Sequence, residues 1–387
     1  MKSAFADLPV TIFDVMSTLA REHEAINLGQ GFPDDDGPED IRQVAADALI
    51  RGPNQYPPML GLADTRAAIA EHYRAFQGLD LDPARETMVT SGGTEALASA
   101  ILALVGDGDE VVLFQPMYDA YAPLVRRAGG TPRHVTLRAP DWSFTEGDLR
   151  EVFSPNTRAI VFNNPLNPGA VVYSADQLKL LAKLCIEFDV VAICDEVWEH
   201  VVFDGRPFVS MMGVPGMRDR TVKIGSAGKM FSLTGWKVGL VAAAPPLLNL
   251  VAKAHQFLTF TTPPNLQIAV GYGLRKDASY FASLRNALQT KRDYFVGEME
   301  NMGYPIRQSE GTYFVTVDVG ALGIDDDAAF AKRLVSDFGV ASIPLSAFYA
   351  QKPSTNVLRF CFAKNQRTLD EGLARLRRAA RELGLKG

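Results

Sequence analysis

Lys229 lies in the segment Ser-Ala-Gly-Lys, where small neighbours leave room beside its amine. A crowded pocket that already holds cations would lower the pKa of this amine toward the neutral, nucleophilic form. Ser226 and Lys237 flank it, and both could contact one phosphate dianion, the first through its hydroxyl and the second as a point charge. Taken alone, a lysine is more often a solvated surface residue.

Two further charged residues stand in strongly apolar surroundings. Asp195 follows the run Val-Val-Ala-Ile-Cys, so we expect it at a buried strand end, where an unpaired carboxylate is costly. A protonated pyridine nitrogen would be a suitable partner, because the carboxylate would keep that nitrogen protonated and the ring could act as an electron sink. A helix cap or an ordinary ion pair is the alternative.

Arg359 lies inside the apolar segment Asn-Val-Leu-Arg-Phe-Cys-Phe. A guanidinium in such a strand needs an anion, and its planar fork suits the carboxylate of an amino acid. A structural salt bridge would explain the same position equally well.

The segment Ser-Gly-Gly-Thr at residues 91–94 separates a predicted strand from a predicted helix. Its glycines would let backbone N–H groups approach a phosphate at the positive end of the helix, although glycines are also ordinary in such turns. The spacing fits neither a Walker loop nor G-x-G-x-x-G. The segment therefore gives no motif support to an NTPase or to a nicotinamide-dependent enzyme.

Short apolar runs alternate with amphipathic stretches from about residue 87, which predicts an α/β fold with a largely parallel sheet. In such sheets ligands lie beyond the carboxyl ends of the strands. Four runs end in polar or glycine-rich segments, and one crevice could collect them: SGGTEA, NPLNPG, Asp195-Glu196 and GSAGK. A long charged helix past residue 275, then strands near 312–317, 340–343 and 356–361 and a final helix predict a smaller α+β domain.

Composition narrows the class of protein. The chain has 387 residues, enough for two packed domains, and its net charge of −6 without a Lys/Arg-rich run argues against nucleic acid or membrane surfaces as partners. The apolar stretch at 96–105 is too short for a membrane span, and Asp7 and Asp14 interrupt any export signal, so we expect a cytoplasmic protein. The scattered cysteines and histidines lack ligand spacing, so no metal site is expected.

Eight segments in order resemble the fold type I enzymes that use pyridoxal 5′-phosphate (PLP), specifically the class I aminotransferases. They are NLGQGFPD, NQYPPMLG, TSGGTEAL, NNPLNPG, DEVWEHVVFD, GSAGKMFSLTGWKVG, GTYF and NVLRFCFAK. NLGQGFPD and TGWKVG are most similar to the branch of kynurenine aminotransferase, glutamine transaminase K and methionine aminotransferase. The resemblance implies a mostly parallel sheet in a large PLP-binding domain at 41–275 and a small α+β domain from 1–40 and 276–387.

The resemblance also assigns roles to residues. Lys229 would hold PLP as an imine and move the substrate's α-proton, Asp195 would pair with the pyridine nitrogen, and Asn167 would bind the ring 3′-oxygen. The phosphate would be held by the Gly93 and Thr94 backbone, Ser226, Lys237 and, from the other subunit of a homodimer, Tyr56. Tyr118 would stack on the ring, and the substrate would contact Gly31, Asn167 and Arg359.

The sequence departs from the family pattern at two positions. Trp198, a further candidate for the cofactor site, stands where most relatives have a tyrosine that bonds the 3′-oxygen, and Thr261 replaces a polar aromatic residue of some kynurenine enzymes. No segment supplies the second arginine of dicarboxylate-specific relatives. A wide apolar pocket is expected instead from four aromatic residues: Phe32, Tyr121, Phe260 and Tyr313.

We therefore expect an aminotransferase that moves the amino group of methionine, glutamine, phenylalanine or kynurenine to a 2-oxo acid. A PLP-dependent carbon–sulfur β-lyase acting on cysteine conjugates is an alternative on the same scaffold. A PLP-binding regulator without turnover is a second alternative, which would require an attached DNA-binding module.

Overall fold

The computed structural model describes residues 8–307, 309–351 and 356–385. Its α-helices are α1 (Ile12–Glu22), α2 (Glu39–Arg51), α3 (Ala63–Gln77), α4 (Gly93–Leu104), α5 (Tyr121–Arg127), α6 (Glu146–Arg150), α7 (Ala175–Glu187), α8 (Ala227–Met230), α9 (Pro245–Leu258), α10 (Pro264–Leu274), α11 (Ala278–Asn301), α12 (Asp327–Phe338) and α13 (Gln366–Glu382). Its strands are β1 (Ile26–Asn27), β2 (Thr87–Thr90), β3 (Glu110–Gln115), β4 (Thr131–Thr136), β5 (Thr157–Asn163), β6 (Val191–Asp195), β7 (Thr221–Ser226), β8 (Gly239–Ala243), β9 (Phe314–Asp318), β10 (Val340–Ala341), β11 (Ile343–Pro344) and β12 (Val357–Cys361).

Seven strands form the central sheet in the order β2-β8-β7-β6-β5-β3-β4. β8 runs antiparallel to both of its neighbours, and the remaining strands run parallel to one another. Strands β3, β6 and β8 are buried along their whole length, as expected for a sheet covered on both faces. The predicted α/β fold with a mostly parallel sheet is confirmed, whereas the alternating apolar runs did not indicate β8.

Apolar helices cover this sheet on both faces. On one face, Leu97 and Ile101 of α4 pack with Val251 of α9 and with side chains from the inner strands. Burying one such aliphatic side chain contributes roughly 1.5–3 kcal/mol. The first turn of α4 is thereby fixed next to the end of β2.

A second, three-stranded antiparallel sheet has the order β11-β12-β9. The N-terminal part of the chain lies close to it, because β1 pairs with β10 through Ile26 opposite Val340 and Asn27 opposite Ala341. The domain boundaries at residues 40 and 275 stay a prediction.

The strand ends meet at one edge of the central sheet. Thr90 and Ser226 both pair with Gly239, and Asn163 pairs with Asp195. The polar segments that follow β2, β5, β6 and β7 therefore face one crevice, as the order of strands predicts. No helix in the described ranges is long and apolar enough to cross a membrane.

Candidate active site

A cavity of about 420 Å³ opens at this edge of the sheet. Its wall combines residues from the N-terminal segment, from the ends of the central strands and from the small sheet. Every residue predicted for the site except Tyr56 lies in that wall: Gly31, Gly93, Thr94, Tyr118, Asn167, Asp195, Trp198, Ser226, Lys229, Lys237 and Arg359.

Lys229 projects from α8, the single helical turn that follows β7. The residue is half-buried, and its Nζ donates a hydrogen bond to the Gly31 carbonyl at 3.1 Å. Burial lowers the pKa of its amine from 10.5 to about 8, and the nearby cations Arg359 and Lys237 act in the same direction. The neutral form of this amine, which nucleophilic attack on a carbonyl requires, is therefore far more populated near physiological pH than in a solvated lysine.

Asp195 ends β6 and is buried. Its Oδ2 accepts a hydrogen bond from the Tyr121 hydroxyl at 2.5 Å, whereas its Oδ1 is buried and has no hydrogen-bond partner among the described residues. Burial raises the pKa of this carboxyl. An unsatisfied buried carboxylate oxygen is costly, so this atom is suited to a cationic N–H group supplied by a ligand.

The start of α4 provides the features of an anion site. Gly92 precedes the helix with φ +83° and caps it with no side chain, and a helix leaves its first N–H groups without intrahelical partners. A Cβ atom on Gly92 would lie 3.0 Å from Cε and 3.3 Å from Nζ of Lys237. The lysine is thus packed against the positive end of the helix, and Ser226 lines the same cavity.

Arg359 is buried in β12 without an ion-pair partner in the described part of the chain. One terminal nitrogen donates to Asn167 Oδ1 and the other to the Gly29 carbonyl, both at 2.8 Å, while Cζ lies 3.8 Å from the centre of the Phe314 ring. Burial lowers the pKa of the guanidinium to about 10. A carboxylate brought by a substrate would supply the missing anion.

Asn163 is a site residue that the sequence analysis missed. Its Nδ2 donates to the Asp195 carbonyl at 2.8 Å, and its Oδ1 accepts from the Asn167 backbone N–H at 2.6 Å. It therefore fixes Asn167 relative to Asp195. Its position at the end of β5, directly before the segment NPLNPG, is the sequence feature that could have indicated this role.

Comparison with known proteins now identifies the family. The model of the family described as "Aminotransferase class I and II" matches residues 23–376. The chain is a class I/II aminotransferase. Members of this family use PLP, and the unpaired Asp195 oxygen, the uncapped start of α4 and the Lys229 amine fit the pyridine, phosphate and aldehyde groups of that cofactor.

Solved structures and curated sequences agree with this placement. The aminotransferase superposes with a TM-score of 0.95 on an Escherichia coli protein identified as a methionine aminotransferase, at 38% identity over 98% of this chain and 99% of that one. It superposes with a TM-score of 0.94 on N-succinyldiaminopimelate aminotransferase from Mycobacterium tuberculosis, at 40% identity over 97% and 99%. Human kynurenine–oxoglutarate transaminase 1 is 35% identical over 400 residues, covering 94% of each chain. These relatives give no support to the β-lyase or to the regulator without turnover.

Trp198 lies beside the amine of the aminotransferase's Lys229. Lys229 Nζ is 4.6 Å from the centre of the indole, and the indole packs edge-on against Tyr313 at 4.6 Å and Phe314 at 5.6 Å. Trp198 is buried and is part of the cavity wall. A bond from its N–H to the cofactor stays a prediction.

The expected apolar pocket of four aromatic residues is not assembled in this chain. None of the four is among the residues that line the described cavity. Tyr121 lies beneath it on Asp195, and the Tyr313 hydroxyl donates to the Lys229 carbonyl at 2.9 Å. Phe32 is half-exposed beside Lys364, and Phe260 lies near Tyr56.

A buried ion cluster holds the turn that contains Asp195 and Trp198. Lys223 Nζ donates to Glu196 at 2.7 Å and to Glu199 at 2.6 Å, and all three side chains are almost inaccessible. Burial opposes the charge on Lys223, but the two carboxylates more than offset it and raise the pKa of the amine. The acidic residues on both sides of Val197 and Trp198 are therefore anchored to β7.

Tyr56 is the predicted site residue that this chain does not bring to the cavity. It is 85% exposed and packs edge-on against Phe260, with ring centres 5.7 Å apart. Thr261 lines the same shallow cleft. In the described part of the aminotransferase, no group of three or more His, Cys, Asp or Glu side chains is placed to hold a metal ion.

The lowered pKa of Lys229 predicts a pH dependence for cofactor capture by the enzyme stripped of PLP. Only the neutral amine attacks the aldehyde, so the rate should rise with pH and reach half its maximum near pH 8. Stopped-flow absorbance after mixing with PLP measures this rate. A half-maximal pH above about 10, the value of a solvated lysine, would contradict the burial effect.

Proposed function

We propose that this aminotransferase moves the amino group of a neutral or aromatic L-amino acid, of the methionine, glutamine, phenylalanine or kynurenine type, to a 2-oxo acid. The main support is the set of cations in the cavity wall, Lys229, Lys237 and Arg359. The first two are needed for the cofactor and the third for the α-carboxylate. A second carboxylate on the substrate would therefore have no cation in the described wall.

We assign the following roles to the residues of the cavity. Bound PLP supplies a ring that withdraws electrons and makes the substrate's α-hydrogen acidic. Lys229 would hold the cofactor, and its amine would move the substrate's α-proton, first as base and then as acid. Asp195 would keep the ring nitrogen protonated. Arg359 and Asn167 orient the substrate, with Gly31 closing the carboxylate side.

The remaining contacts position the cofactor. The backbone of Gly93 and Thr94, the Ser226 hydroxyl and the Lys237 amine bind the phosphate, helped by the charge at the start of α4. Tyr118 lines the cavity and would stack on the ring, and Trp198 closes the wall beside Lys229.

We further propose that the enzyme is a cytoplasmic homodimer with a large domain at 41–275 and a small one at 1–40 and 276–387. Tyr56 and Phe257 are each 85% exposed and Phe260 41%, an apolar surface suited to a second copy. Residues 185, 194 and 361 are free cysteines, which agrees with a reducing compartment.

Mixing two defective variants tests whether Tyr56 acts across the dimer. Tyr56→Phe subunits keep Lys229, and Lys229→Ala subunits keep Tyr56, so each hybrid has one complete site if the tyrosine binds the phosphate of its neighbour. Random exchange of subunits should restore about a quarter of the wild-type activity. If exchanged mixtures stay at the mean activity of the two parents, Tyr56 does not act in trans.

Replacing Arg359 with lysine keeps the positive charge but removes the planar guanidinium, which can bind both oxygens of a carboxylate. We expect kcat/KM for amino acids to fall at least about tenfold, about 1.4 kcal/mol, with the cofactor retained. Steady-state kinetics and the cofactor's absorbance measure both quantities. Lys253→Arg, at an exposed position of α9, is the control, and equal kinetics for wild type and Arg359→Lys would move the carboxylate site elsewhere.

A matrix of amino acids against 2-oxo acids tests the proposed substrate class. Methionine, glutamine and aromatic amino acids should be better donors than aspartate or glutamate, because the wall formed by the described residues has no cation left for a side-chain carboxylate. A clear preference for aspartate would overturn the proposal.

A further inference from the structure

Asp14 is the charged residue of the cavity wall that the proposed chemistry does not use. The charged side chains of the described wall are Asp14, Asp195, Lys229, Lys237 and Arg359. The cofactor accounts for three of them and the α-carboxylate for Arg359. The charge that remains in the described wall for the rest of the substrate is therefore the negative charge of Asp14.

The carboxylate of Asp14 is unoccupied by protein partners. It is exposed, and within the described residues it forms neither a hydrogen bond nor an ion pair; the hydrogen bond to Thr11 Oγ at 3.2 Å is donated by the backbone N–H of Asp14. Its charge is thus not neutralised by the protein and acts on whatever enters the cavity.

Helix α1 is tied to the loop that forms the substrate side of the cavity. Gln30 Nε2 donates to Ser17 Oγ at 2.5 Å, and the carbonyls of Gly29 and Gly31, on either side of Gln30, accept from Arg359 and Lys229. Phe13, next to Asp14, lies 5.3 Å from the Arg359 guanidinium. The position of Asp14 relative to the reacting groups is therefore fixed by the fold.

A second acidic residue, Asp119, lies within electrostatic range of Asp14 and Arg359. Burial raises the pKa of the Asp119 carboxyl; Arg359 partly opposes this rise, and the charge of Asp14 adds to it. The two carboxylates and Arg359 are thus close enough to influence one another.

We propose that Asp14 is a specificity-determining residue that disfavours substrates with a side-chain carboxylate. This inference rests on the proposed transamination at this cavity. The α-carboxylate of every substrate is offset by Arg359, whereas a second carboxylate is repelled by Asp14 and meets no free cation in the described wall.

Glutamate and glutamine provide the test, because they have nearly the same shape and differ in side-chain charge. The holoenzyme is mixed with each amino acid in the absence of a 2-oxo acid, and the change in cofactor absorbance gives kcat/KM for that half-reaction. In Asp14→Asn we expect the ratio of glutamate to glutamine to rise about three- to tenfold, with a larger rise in Asp14→Lys and a smaller effect at high salt.

Glu22→Gln is the matched control, since it removes an exposed charge from the other end of α1 and should leave the ratio unchanged. A ratio that stays within twofold of wild type in both Asp14 variants would overturn the inference. A wild type that prefers glutamate while the ratio still rises in the variants would reject the neutral-donor proposal and keep the role of Asp14.

Discussion

Replacing Lys229 with alanine is expected to lower kcat for transamination by at least about 10⁴-fold, because one side chain is both the covalent anchor of the cofactor and the proton-transfer group. Arg359 and the phosphate-binding residues remain, so the variant should still bind PLP and amino acids. Single-turnover absorbance changes with methionine measure the loss.

Lys253→Ala is the control for this variant, since it removes an exposed lysine of α9 that is not part of the described cavity wall. It should retain wild-type kinetics. A Lys229→Ala enzyme with more than about a hundredth of the wild-type kcat would show that another group transfers the proton.

Replacing Asp195 with asparagine is expected to give the second largest loss. The amide keeps the size of the side chain but removes the charge that holds a proton on the ring nitrogen, and removing one partner of a buried ion pair costs about 3–5 kcal/mol. That corresponds to a fall in kcat of roughly 10²–10⁴-fold. Burst and steady-state kinetics on the PLP-loaded variant separate this loss from weaker cofactor binding.

Asp189→Asn controls for a change of charge near β6, because Asp189 is an exposed residue just before that strand. Its kinetics should equal those of wild type. If Asp195→Asn retains more than about a tenth of the wild-type kcat with PLP bound, the carboxylate does not hold the ring proton during the reaction.

The sequence predicted the cluster at the sheet edge because consecutive parallel strands place their carboxyl ends together. Asp195 ends such a strand, and Asn167 and Lys229 each follow one within a few residues, so the order of the apolar runs was enough to predict that the three side chains meet. The resemblance supplied the role of each.

Other features depended on contacts that local patterns do not contain. Phe13 and Asp14 reach the cavity because the N-terminal segment pairs with a strand more than 300 residues later, at Ile26 and Val340. Tyr121 was expected in an apolar pocket, but its hydroxyl binds Asp195 from beneath. Its role depends on the packing of α5 against the sheet.

The direction of β8 was also not evident from its sequence. It follows β7 through residues 227–238, which contain α8 and end in a turn at Lys237 with φ +54°, and it returns antiparallel to β7. This turn places Lys237 beside Gly92, and no apolar pattern specifies it.

Mass mapping of the borohydride-reduced holoenzyme tests whether Lys229 is the residue that holds PLP. Reduction should fix one pyridoxyl group per chain, and the labelled peptide should contain it on Lys229, the half-buried amine of the cavity wall. A label on Lys223 or Lys237 instead, or no label on a fully PLP-loaded enzyme, would show that Lys229 does not hold the cofactor.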